Sequence, residues 1–248
     1  MSIRSTDITD HLIIVTGAAS GIGRQVALHL ASLGAIVAAC DKHVSALKEI
    51  ASEKIFDFEI DFTSEASING CIKEIEEKLG FPKALVNCVG ILGKNGQKVV
   101  DVDLADFDLV YSINLRGALI VTKAVIGGME SRSYGRILHL ASISGKEGNP
   151  LLVAYSSTKA GLIGMVKSVG KEYAETGVTI NALAPALIQS PMTDTFSESQ
   201  ITYLKSKIPM GRLGSTEEVA DLVAWIISPA CSFTTGFAFD LSGGRATY

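Results

Sequence analysis

The stretch Leu151 to Gly161, reading LLVAYSSTKAG, places a phenol and an ammonium one helical turn apart. Tyr155 and Lys159 are separated by four residues in a run whose apolar residues continue at helical spacing, so both side chains project from one face. At about 4 Å and an effective dielectric of about 20, the cation favours the phenolate by roughly 4 kcal/mol, or about three pKa units. The spacing therefore predicts a tyrosine that exchanges a proton near neutral pH. The alternative is a core contact beside a solvated lysine.

A glycine-rich turn follows the first predicted strand. The segment TGAASGIG lies between the apolar run His11 to Thr16 and an amphipathic helix over Gly21 to Leu33. Glycine lets the backbone approach a pyrophosphate, and the free amides and dipole of the helix attract it. The spacing is GxxxGxG rather than GxGxxG, and a purely structural turn is the alternative. The predicted cofactor contacts of this turn are Gly17, Ser20, Gly21, Ile22 and Gly23.

Two acids end the next two predicted strands. Asp41 comes eighteen residues after Gly23, where a carboxylate can bind both ribose hydroxyls and repel a 2′-phosphate. Because no arginine adjoins Asp41, NAD is favoured over NADP, although the neighbouring Lys42 weakens the preference. Asp61 is expected either to contact adenine or to cap the helix that follows, and Phe62 is assigned to the same cofactor site.

Short apolar strands alternate with helical stretches along the 248 residues. This alternation predicts an α/β fold: a single domain over 1–248 with a doubly wound (Rossmann) parallel sheet of about seven strands and helices on both faces. A long helix over Leu104 to Met129 is expected to bury Leu109, Ile113 and Val121. The segment 185–211 is long for a structureless connection, so it is expected to be a substrate loop or lid with short helices of its own. The strands are predicted over 11–16, 35–40, 55–60, 84–89, 136–142, 178–184 and 236–241.

Composition narrows the function classes. The net charge is 22 − 26 = −4, which lacks the basic excess that nucleic-acid binding usually requires. The four cysteines stand singly in apolar segments, which predicts reduced core thiols and no metal site. Met1 to Asp10 lacks the apolar centre of a signal peptide, and no apolar run is expected to reach membrane-spanning length. We therefore expect a cytoplasmic protein without a nucleic-acid or membrane partner.

These features together resemble the short-chain dehydrogenase/reductase family over essentially the whole chain. The motifs that carry the resemblance are TGAASGIG, Asp41, Asn87 to Gly90 (NCVG), Asn114, Ser142 and Tyr155 to Lys159 (YSSTK). The resemblance implies that Ser142 and Tyr155 hold the substrate oxygen, that Lys159 binds the nicotinamide ribose and supports Tyr155, and that Asn114 helps to hold a water relay. It also implies a homotetramer and further cofactor contacts from Asn87, Gly90, Pro185, Ile188 and Ser190.

The sequence departs from the family pattern at two places. Cys88 and Val89 replace the usual Asn-Ala after the fourth strand, so a repacked adenosine wall is expected. Ala186 replaces the glycine that commonly follows Pro185, so any positive φ in the nicotinamide-side loop would be penalised.

The expected function is NAD(H)-dependent hydride transfer between a secondary alcohol and a ketone, with Tyr155 as acid/base. The alternatives are a 3-oxoacyl thioester (acyl-carrier-protein) reductase, against which Asp41 argues, and a dinucleotide-sensing scaffold protein. The loops above the sheet are more polar than apolar, which favours a small sugar, polyol or sugar acid over a long acyl chain. The predicted substrate residues are Lys94, Ser144, Lys146, Asn149 and Gln189.

The lysines of this set have two interpretations. A substrate carboxylate can meet Lys94, Lys146 or Arg245, and the alternative is that the lysines are solvated surface charges. The tail Arg245 to Tyr248 is expected at a subunit interface, because such residues are costly to order without a partner.

Overall fold

Seven strands form one sheet in the computed structural model, which describes residues 5–191, 193 and 196–248. The strands are β1 (Leu12–Thr16), β2 (Ile36–Asp41), β3 (Ile55–Glu59), β4 (Ala84–Asn87), β5 (Gly135–Leu140), β6 (Val178–Pro185) and β7 (Ala238–Leu241). Their order is β3-β2-β1-β4-β5-β6-β7, and every neighbouring pair is parallel. The predicted doubly wound parallel sheet is confirmed. Its order reverses between β1 and β4, where such sheets open a ligand crevice at the carboxyl ends of the strands.

Helices cover both faces of the sheet. They are α1 (Gly21–Ser32), α2 (Val44–Lys48), α3 (Glu65–Leu79), α4 (Leu104–Tyr111), α5 (Ala118–Glu130), α6 (Ile143–Glu147), α7 (Val153–Glu172), α8 (Glu198–Ser206) and α9 (Thr216–Ile226). Side chains alternate along β1, so the core is divided into two layers, one on each face of the sheet. Ile13 and Val15 pack in the layer with α1 and α9, and Ile14 packs in the layer with α3, α5 and α7. The sheet therefore lies between two apolar layers, which hold the carboxyl ends of its strands in place.

The predicted long helix after β4 is interrupted. A π-helical turn over Ser112–Gly117 joins α4 to α5. Val121 is fully buried, as predicted, but Leu109 is 45% exposed and its predicted burial is wrong. A π-helical turn contains more residues than an α-helical turn, so it changes the direction in which the side chains of α4 point relative to those of α5. The same turn directs Asn114 into the protein, where it is buried.

The span Leu104–Glu130 is long and apolar enough to cross a membrane by length and composition, with a mean hydropathy of 1.4. The expectation that no run reaches this length was therefore wrong. Half of the apolar window is buried inside the protein. Its residues Val121, Val125 and Met129 pack in the same layer as α3, so the span is a core helix.

The segment 185–211 contains α8, which begins with a capping box between Ser197 and Gln200. A bridge between Ile188 and Gly214 ties the start of the segment to the loop before α9. Met192, within the loop predicted to touch substrate, lies outside the described residues, and so do Asp194 and Thr195. That the segment closes over substrate stays a prediction.

Candidate active site

The glycine turn after β1 is shaped by close backbone contacts. A Cβ atom on Gly23 would lie 2.1 Å from the Gly17 carbonyl oxygen, and one on Gly17 would lie 3.1 Å from the Cys88 carbonyl carbon. Gly17 also has a φ of +71°, which favours glycine. Both positions are therefore closed to larger residues.

The amino end of α1 is left open by the protein. Its N-cap residue Ser20 makes no side-chain capping bond among the described residues, and the first turn of α1 carries no acid. By contrast, side chains cap the helices that begin after Ser64, Ser197 and Ser215. The unsatisfied amides of α1 thus face the groove, as a pyrophosphate site requires. The structure fits a dinucleotide here.

A groove of about 410 Å³ runs from this turn to the ends of β2 and β3. Asp41 lies in it, where Oδ2 accepts a hydrogen bond from the Ala19 amide at 3.2 Å and Oδ1 accepts one from the His43 amide at 2.9 Å. The carboxylate is therefore fixed beside the phosphate turn. The predicted residues that line the groove are Gly17, Ser20, Gly21, Ile22, Gly23, Asp41, Asp61, Phe62, Gly90 and Ser190.

Asp61 does not cap the following helix with its side chain. Its Oδ1 accepts hydrogen bonds from the amide and hydroxyl of Thr63, both at 2.8 Å, and Ser64 provides the cap. These bonds from Thr63, the amide first, hold the pKa of Asp61 below its usual value. Asp61 therefore shapes the turn beside the groove, and its contact with adenine stays a prediction.

Asn87 is absent from the residues that line the groove and belongs to a buried polar chain. Its Oδ1 accepts from the Thr16 hydroxyl at 2.6 Å, and its Nδ2 lies 3.1 Å from Nδ1 of His139. His139 Nε2 lies 2.9 Å from the hydroxyl of Thr122, which itself donates to the Ala118 carbonyl at 2.8 Å. This arrangement assigns the proton of the imidazole to Nε2, so that Nδ1 accepts from Asn87.

His139 was missed by the sequence argument, because a single histidine in an apolar strand gives little signal. Burial lowers the pKa of His139 to about 3, so the ring is neutral at physiological pH. His139 lies on β5, and its ring connects this strand to Asn87 on β4 and to Thr122 on α5. Since Asn87 Oδ1 also accepts from the Val89 amide at 3.3 Å, the chain shapes the turn that leads to Gly90. Asn87 therefore helps to shape the groove from behind, and its direct contact with the cofactor stays a prediction.

Asn114 joins the loop after β4 to α7. Its Oδ1 accepts from the Ile91 amide and its Nδ2 donates to the Ile91 carbonyl, both at 2.9 Å. Nδ2 also donates to the Thr158 hydroxyl at 3.2 Å. Next to it, Lys159 Nζ donates to the Leu140 carbonyl at 2.5 Å. A Cβ atom on Gly90 would lie 3.1 Å from that ammonium, so Asn114, Gly90 and Lys159 are in one packed cluster.

The predicted lowering of the Tyr155 pKa is wrong in this structure. Burial raises the pKa of Tyr155, and a hydrogen bond with Ser142 opposes the rise without overcoming it. The Lys159 ammonium lies 5.7 Å from the centre of the tyrosine ring. Burial also lowers the pKa of Lys159 to about 8. Burial is therefore the main cause of both pKa shifts.

The buried ammonium of Lys159 is expected to reduce stability at neutral pH. Its pKa is lower in the folded protein (about 8) than in the unfolded chain (10.5), so the unfolded chain binds more protons between these values. Stability should therefore rise with pH from about 8 to 10.5. Lys159→Met should raise the free energy of unfolding at pH 7 by up to about 3 kcal/mol while abolishing activity, and the gain should shrink toward pH 10.5. Urea unfolding of the parent and of Lys159→Met from pH 7 to 10.5 measures this gain in the free energy of unfolding.

The control for this prediction is Lys167→Met, which replaces an exposed lysine on the same helix. It should leave both activity and the pH dependence of unfolding unchanged. A Lys159→Met protein that is less stable than the parent at pH 7 would contradict the prediction.

The nicotinamide-side loop is unstrained. Ala186 does not adopt a positive φ, so the penalty considered for this residue does not arise. Its amide donates to the Leu241 carbonyl at 3.0 Å. Pro185, Ile188 and Ser190 line the cavity beside Tyr155, and their contacts with the cofactor stay predictions.

The cavity beside Tyr155 has a volume of about 160 Å³. The expectation of mostly polar walls is wrong, because nine large apolar side chains of the described residues line it. These are Ile22, Leu92, Leu140, Ile143, Leu152, Leu187, Ile188, Phe196 and Leu204. Polar groups come from Ser142, Ser144, Asn149, Tyr155, Lys159, Ser190, Thr193 and Arg245. Ser142 was predicted to end β5, but it begins α6 as its N-cap, with Oγ accepting from the Ser144 amide at 3.1 Å.

Three predicted substrate residues lie outside this cavity. Lys94 is exposed and pairs with Asp103 at 2.6 Å. Lys146 pairs with Asp240 at 3.2 Å, and Gln189 is exposed on the loop after β6. The structure thus supports the alternative of a solvated charge for Lys94 but not for Lys146, whose side chain is 9% exposed, whereas Ser144 and Asn149 line the cavity. The substrate contacts of Lys94, Lys146 and Gln189 stay predictions.

The tail after β7 packs within its own subunit. Arg245 Nε donates to Glu147 Oε2 at 2.9 Å, and the Tyr248 hydroxyl donates to the Lys146 carbonyl at 3.0 Å. These contacts order the tail without a second subunit, and its position at a subunit interface stays a prediction. Cys88 also departs from the core-thiol expectation, because it is partly exposed and lines both the groove and the cavity.

Comparison with known proteins agrees with this geometry. A family model described as enoyl-(acyl carrier protein) reductase matches residues 17–245. A 2-dehydro-3-deoxy-L-rhamnonate dehydrogenase (NAD(+)) from Sphingomonas sp. (strain SKA58) is 42% identical over 100% of both chains. The 3-oxoacyl-(acyl-carrier-protein) reductase FabG of Aquifex aeolicus (strain VF5) is 37% identical over 93% of this chain and 95% of its own.

A solved structure shares the fold at similar coverage. The 3-ketoacyl-(acyl-carrier-protein) reductase from Brucella melitensis, complexed with NADH, superposes with a TM-score of 0.91 at 28% identity, over 97% of this chain and 100% of its own. Sequence, site and fold therefore agree that the chain belongs to the short-chain dehydrogenase/reductase family of oxidoreductases.

Proposed function

We propose that the protein is an NAD(H)-dependent oxidoreductase that interconverts a secondary alcohol and a ketone in a small sugar acid. The observation that carries this proposal is the continuity of the two cavities. Ile22, Cys88, Gly90 and Ser190 line both the dinucleotide groove and the cavity beside Tyr155. A cofactor in the groove can therefore reach a substrate held by Tyr155 and Ser142.

Bound NAD(H) would supply hydride acceptance and donation through its nicotinamide ring. The residues of the chain hold the substrate oxygen and move its proton. The Ser142 hydroxyl, fixed by the Ser144 amide, orients that oxygen, and Tyr155 Oη accepts its proton in oxidation and returns it in reduction. The Lys159 ammonium, held by the Leu140 carbonyl, lowers the cost of negative charge on Tyr155.

Asn114 keeps the Ile91 loop against Thr158 and so fixes the position of α7, on which Tyr155 and Lys159 lie. A water relay beside Asn114 remains part of the proposal. Burial raises the pKa of Tyr155. The tyrosinate therefore needs further positive charge beyond Lys159, which an oxidised nicotinamide would supply.

Cavity size and the similar Sphingomonas protein support a small acid as substrate. The volume of about 160 Å³ is below the range of about 300–1,000 Å³ usual for drug-sized ligands. The Sphingomonas relative is named for a deoxy sugar acid and NAD(+). The apolar wall suits the methyl and methylene carbons of such a compound, which fully hydroxylated sugars lack.

A turnover screen tests the proposal. The panel contains 2-dehydro-3-deoxy-L-rhamnonate, other sugar acids, neutral sugars and polyols, each with NAD⁺ and NADP⁺. We expect the highest kcat/KM with a deoxy sugar acid and NAD⁺, and loss of turnover in Tyr155→Phe. Turnover restricted to neutral sugars, or a clear preference for NADP⁺, would contradict the proposal. Binding of NADH without Tyr155-dependent turnover would favour the dinucleotide-sensing scaffold instead.

The apolar wall of the cavity favours a second candidate, reduction of a 3-oxoacyl thioester. Phe196, Leu187 and Leu204 offer the surface that an acyl chain would contact. The small volume limits the chain to a few carbons. Acetoacetyl-CoA with NADH or NADPH separates the candidates, since the thioester should be a poor substrate if the first proposal holds.

Asp41 is expected to set the cofactor preference. Asp41→Asn keeps the size of the side chain and removes the charge that repels a 2′-phosphate. The ratio of kcat/KM with NADP⁺ to that with NAD⁺ should rise by at least about tenfold, equivalent to about 1.4 kcal/mol. Initial rates with both cofactors measure the ratio. Asp57→Asn, at an exposed position on β3, is the control and should leave the ratio unchanged.

We also propose a cytoplasmic homotetramer that acts on a small molecule without a nucleic-acid or membrane partner. Large apolar side chains are exposed on the α4, α5 and α7 face, as at Leu104, Leu109 and Leu119, and near β7, as at Phe237. Such surfaces are typical of protein interfaces. Light scattering coupled to size-exclusion chromatography should give a mass four times that of the chain.

A further inference from the structure

The charged side chains that line the cavity beside Tyr155 are all cationic among the described residues. Among the described residues that line it, the charged side chains are Lys159 and Arg245, and no carboxylate lines it. Lys159 is engaged by the Leu140 carbonyl and supports Tyr155 in the proposed chemistry. Arg245 is thus the cation of the cavity that this chemistry does not use.

Arg245 is held in one orientation by its own subunit. Its side chain is 5% exposed, Nε donates to Glu147 Oε2 at 2.9 Å, and Nη2 lies 2.8 Å from the same oxygen. Nη2 also donates to Asn149 Oδ1 at 2.9 Å. One edge of the guanidinium is therefore fully occupied, and no hydrogen bond to the described part of the chain involves Nη1. A planar guanidinium fixed along one edge presents its remaining N–H groups at a defined angle.

The Asn149 amide connects Arg245 to a second donor. Its Nδ2 donates to Ser144 Oγ at 2.6 Å, so the Ser144 oxygen acts as acceptor in that bond and its own proton is available for another. Ser144 is 4% exposed and lines the cavity. One amide therefore holds a guanidinium edge and a hydroxyl, and both residues line the same cavity.

The Nη1 group of Arg245 and the hydroxyl proton of Ser144, which no acceptor in the described part of the chain engages, suit a group that only accepts hydrogen bonds. An ionised carboxylate has two such oxygens, whereas a sugar hydroxyl both donates and accepts. We infer that Arg245 and Ser144 bind the carboxylate of the substrate and so determine the preference for acids over neutral sugars. This inference rests on the proposed function and specifies the residues that recognise its substrate class.

The test compares one acid with its neutral analogue. Wild type, Arg245→Gln, Arg245→Lys and Ser144→Ala are assayed with NAD⁺ on 2-dehydro-3-deoxy-L-rhamnonate and on the corresponding carboxamide. Arg245→Gln should raise KM for the acid at least about 30-fold while changing kcat little, because a charge-assisted hydrogen bond is lost. KM for the carboxamide should change by less than about threefold in the same variant.

The other variants separate binding from structural effects. Arg245→Lys should recover part of the loss, and Ser144→Ala should raise KM for the acid by about five- to tenfold. Lys94→Gln removes an exposed cation outside the cavity and should change KM for neither the acid nor the carboxamide. NADH affinity and melting temperature are measured for every variant. If Arg245→Gln does not fold, the comparison of acid and carboxamide in Ser144→Ala decides.

Equal losses on the acid and the carboxamide would overturn the inference, because they indicate a structural role for Arg245. An unchanged KM for the acid in both variants would also overturn it. In either case wild-type turnover of the acid leaves the proposed function intact. If wild type turns over no acid at all, the proposed function fails and the inference fails with it.

Discussion

Replacing Tyr155 with phenylalanine is expected to lower kcat by about 10²- to 10⁴-fold, the range attributed to general acid–base catalysis. The substitution removes only the hydroxyl that transfers the proton of the substrate oxygen. Because the ring still packs between Ser142 and Lys159, NADH affinity should stay within about twofold. Initial rates and a fluorescence titration with NADH measure the two quantities.

The pH profile gives this variant a second readout. In the free enzyme kcat/KM for alcohol oxidation should rise through an ionisation in the alkaline range, since burial raises the pKa of Tyr155. That ionisation should disappear in Tyr155→Phe. Tyr173→Phe, at the end of the same helix, is the matched control and should retain both the rate and the profile. A Tyr155→Phe protein with more than a tenth of the parental kcat would assign the proton transfer to another group.

Gly23→Ala is expected to have the second large effect, on cofactor binding and on folding. The added Cβ would lie 2.1 Å from the Gly17 oxygen and 2.6 Å from its carbonyl carbon. Both atoms are backbone, so the turn must move rather than a side chain. Overpacking of this kind costs about 1–3 kcal/mol in stability, and the displaced amides of α1 should weaken NADH binding at least about 100-fold.

A glycine in α7 provides the control for this substitution. Gly164 is exposed on the helix and a Cβ there would meet nothing within 4 Å. Gly164→Ala should therefore stabilise the protein by about 0.5–1 kcal/mol through the higher helix propensity of alanine. Thermal unfolding and NADH titration of the two variants make the comparison. Unchanged NADH affinity in Gly23→Ala would contradict the role given to the turn.

The order of elements and the cofactor edge of the sheet could be predicted because their signals are local. Each strand is a short apolar run, and Asp41 and the glycine turn directly follow such runs. The parallel topology then brings them to one edge without further information. The predicted seven-stranded sheet and the family are accordingly confirmed.

Other features depend on contacts between distant residues. The burial of Leu109 was mispredicted because regular helical periodicity cannot anticipate a π turn at Ser112–Gly117. The pKa of Tyr155 was mispredicted because spacing gives the charge of Lys159 but not the burial that opposes it. The apolar cavity wall was missed because Phe196 and Leu204 come from a segment far along the chain.

The open amino end of α1 gives the proposed dinucleotide a part in the stability of the fold. Since no side chain in the described part of the chain caps α1 at Ser20, the proposed dinucleotide would complete the hydrogen bonding of this helix when it binds. A ligand that binds only the folded chain raises the free energy of unfolding, by about 2.7 kcal/mol at a concentration one hundred times Kd. The unfolded fraction of the protein should therefore fall as the concentration of NAD(H) rises, and the melting temperature should rise with it.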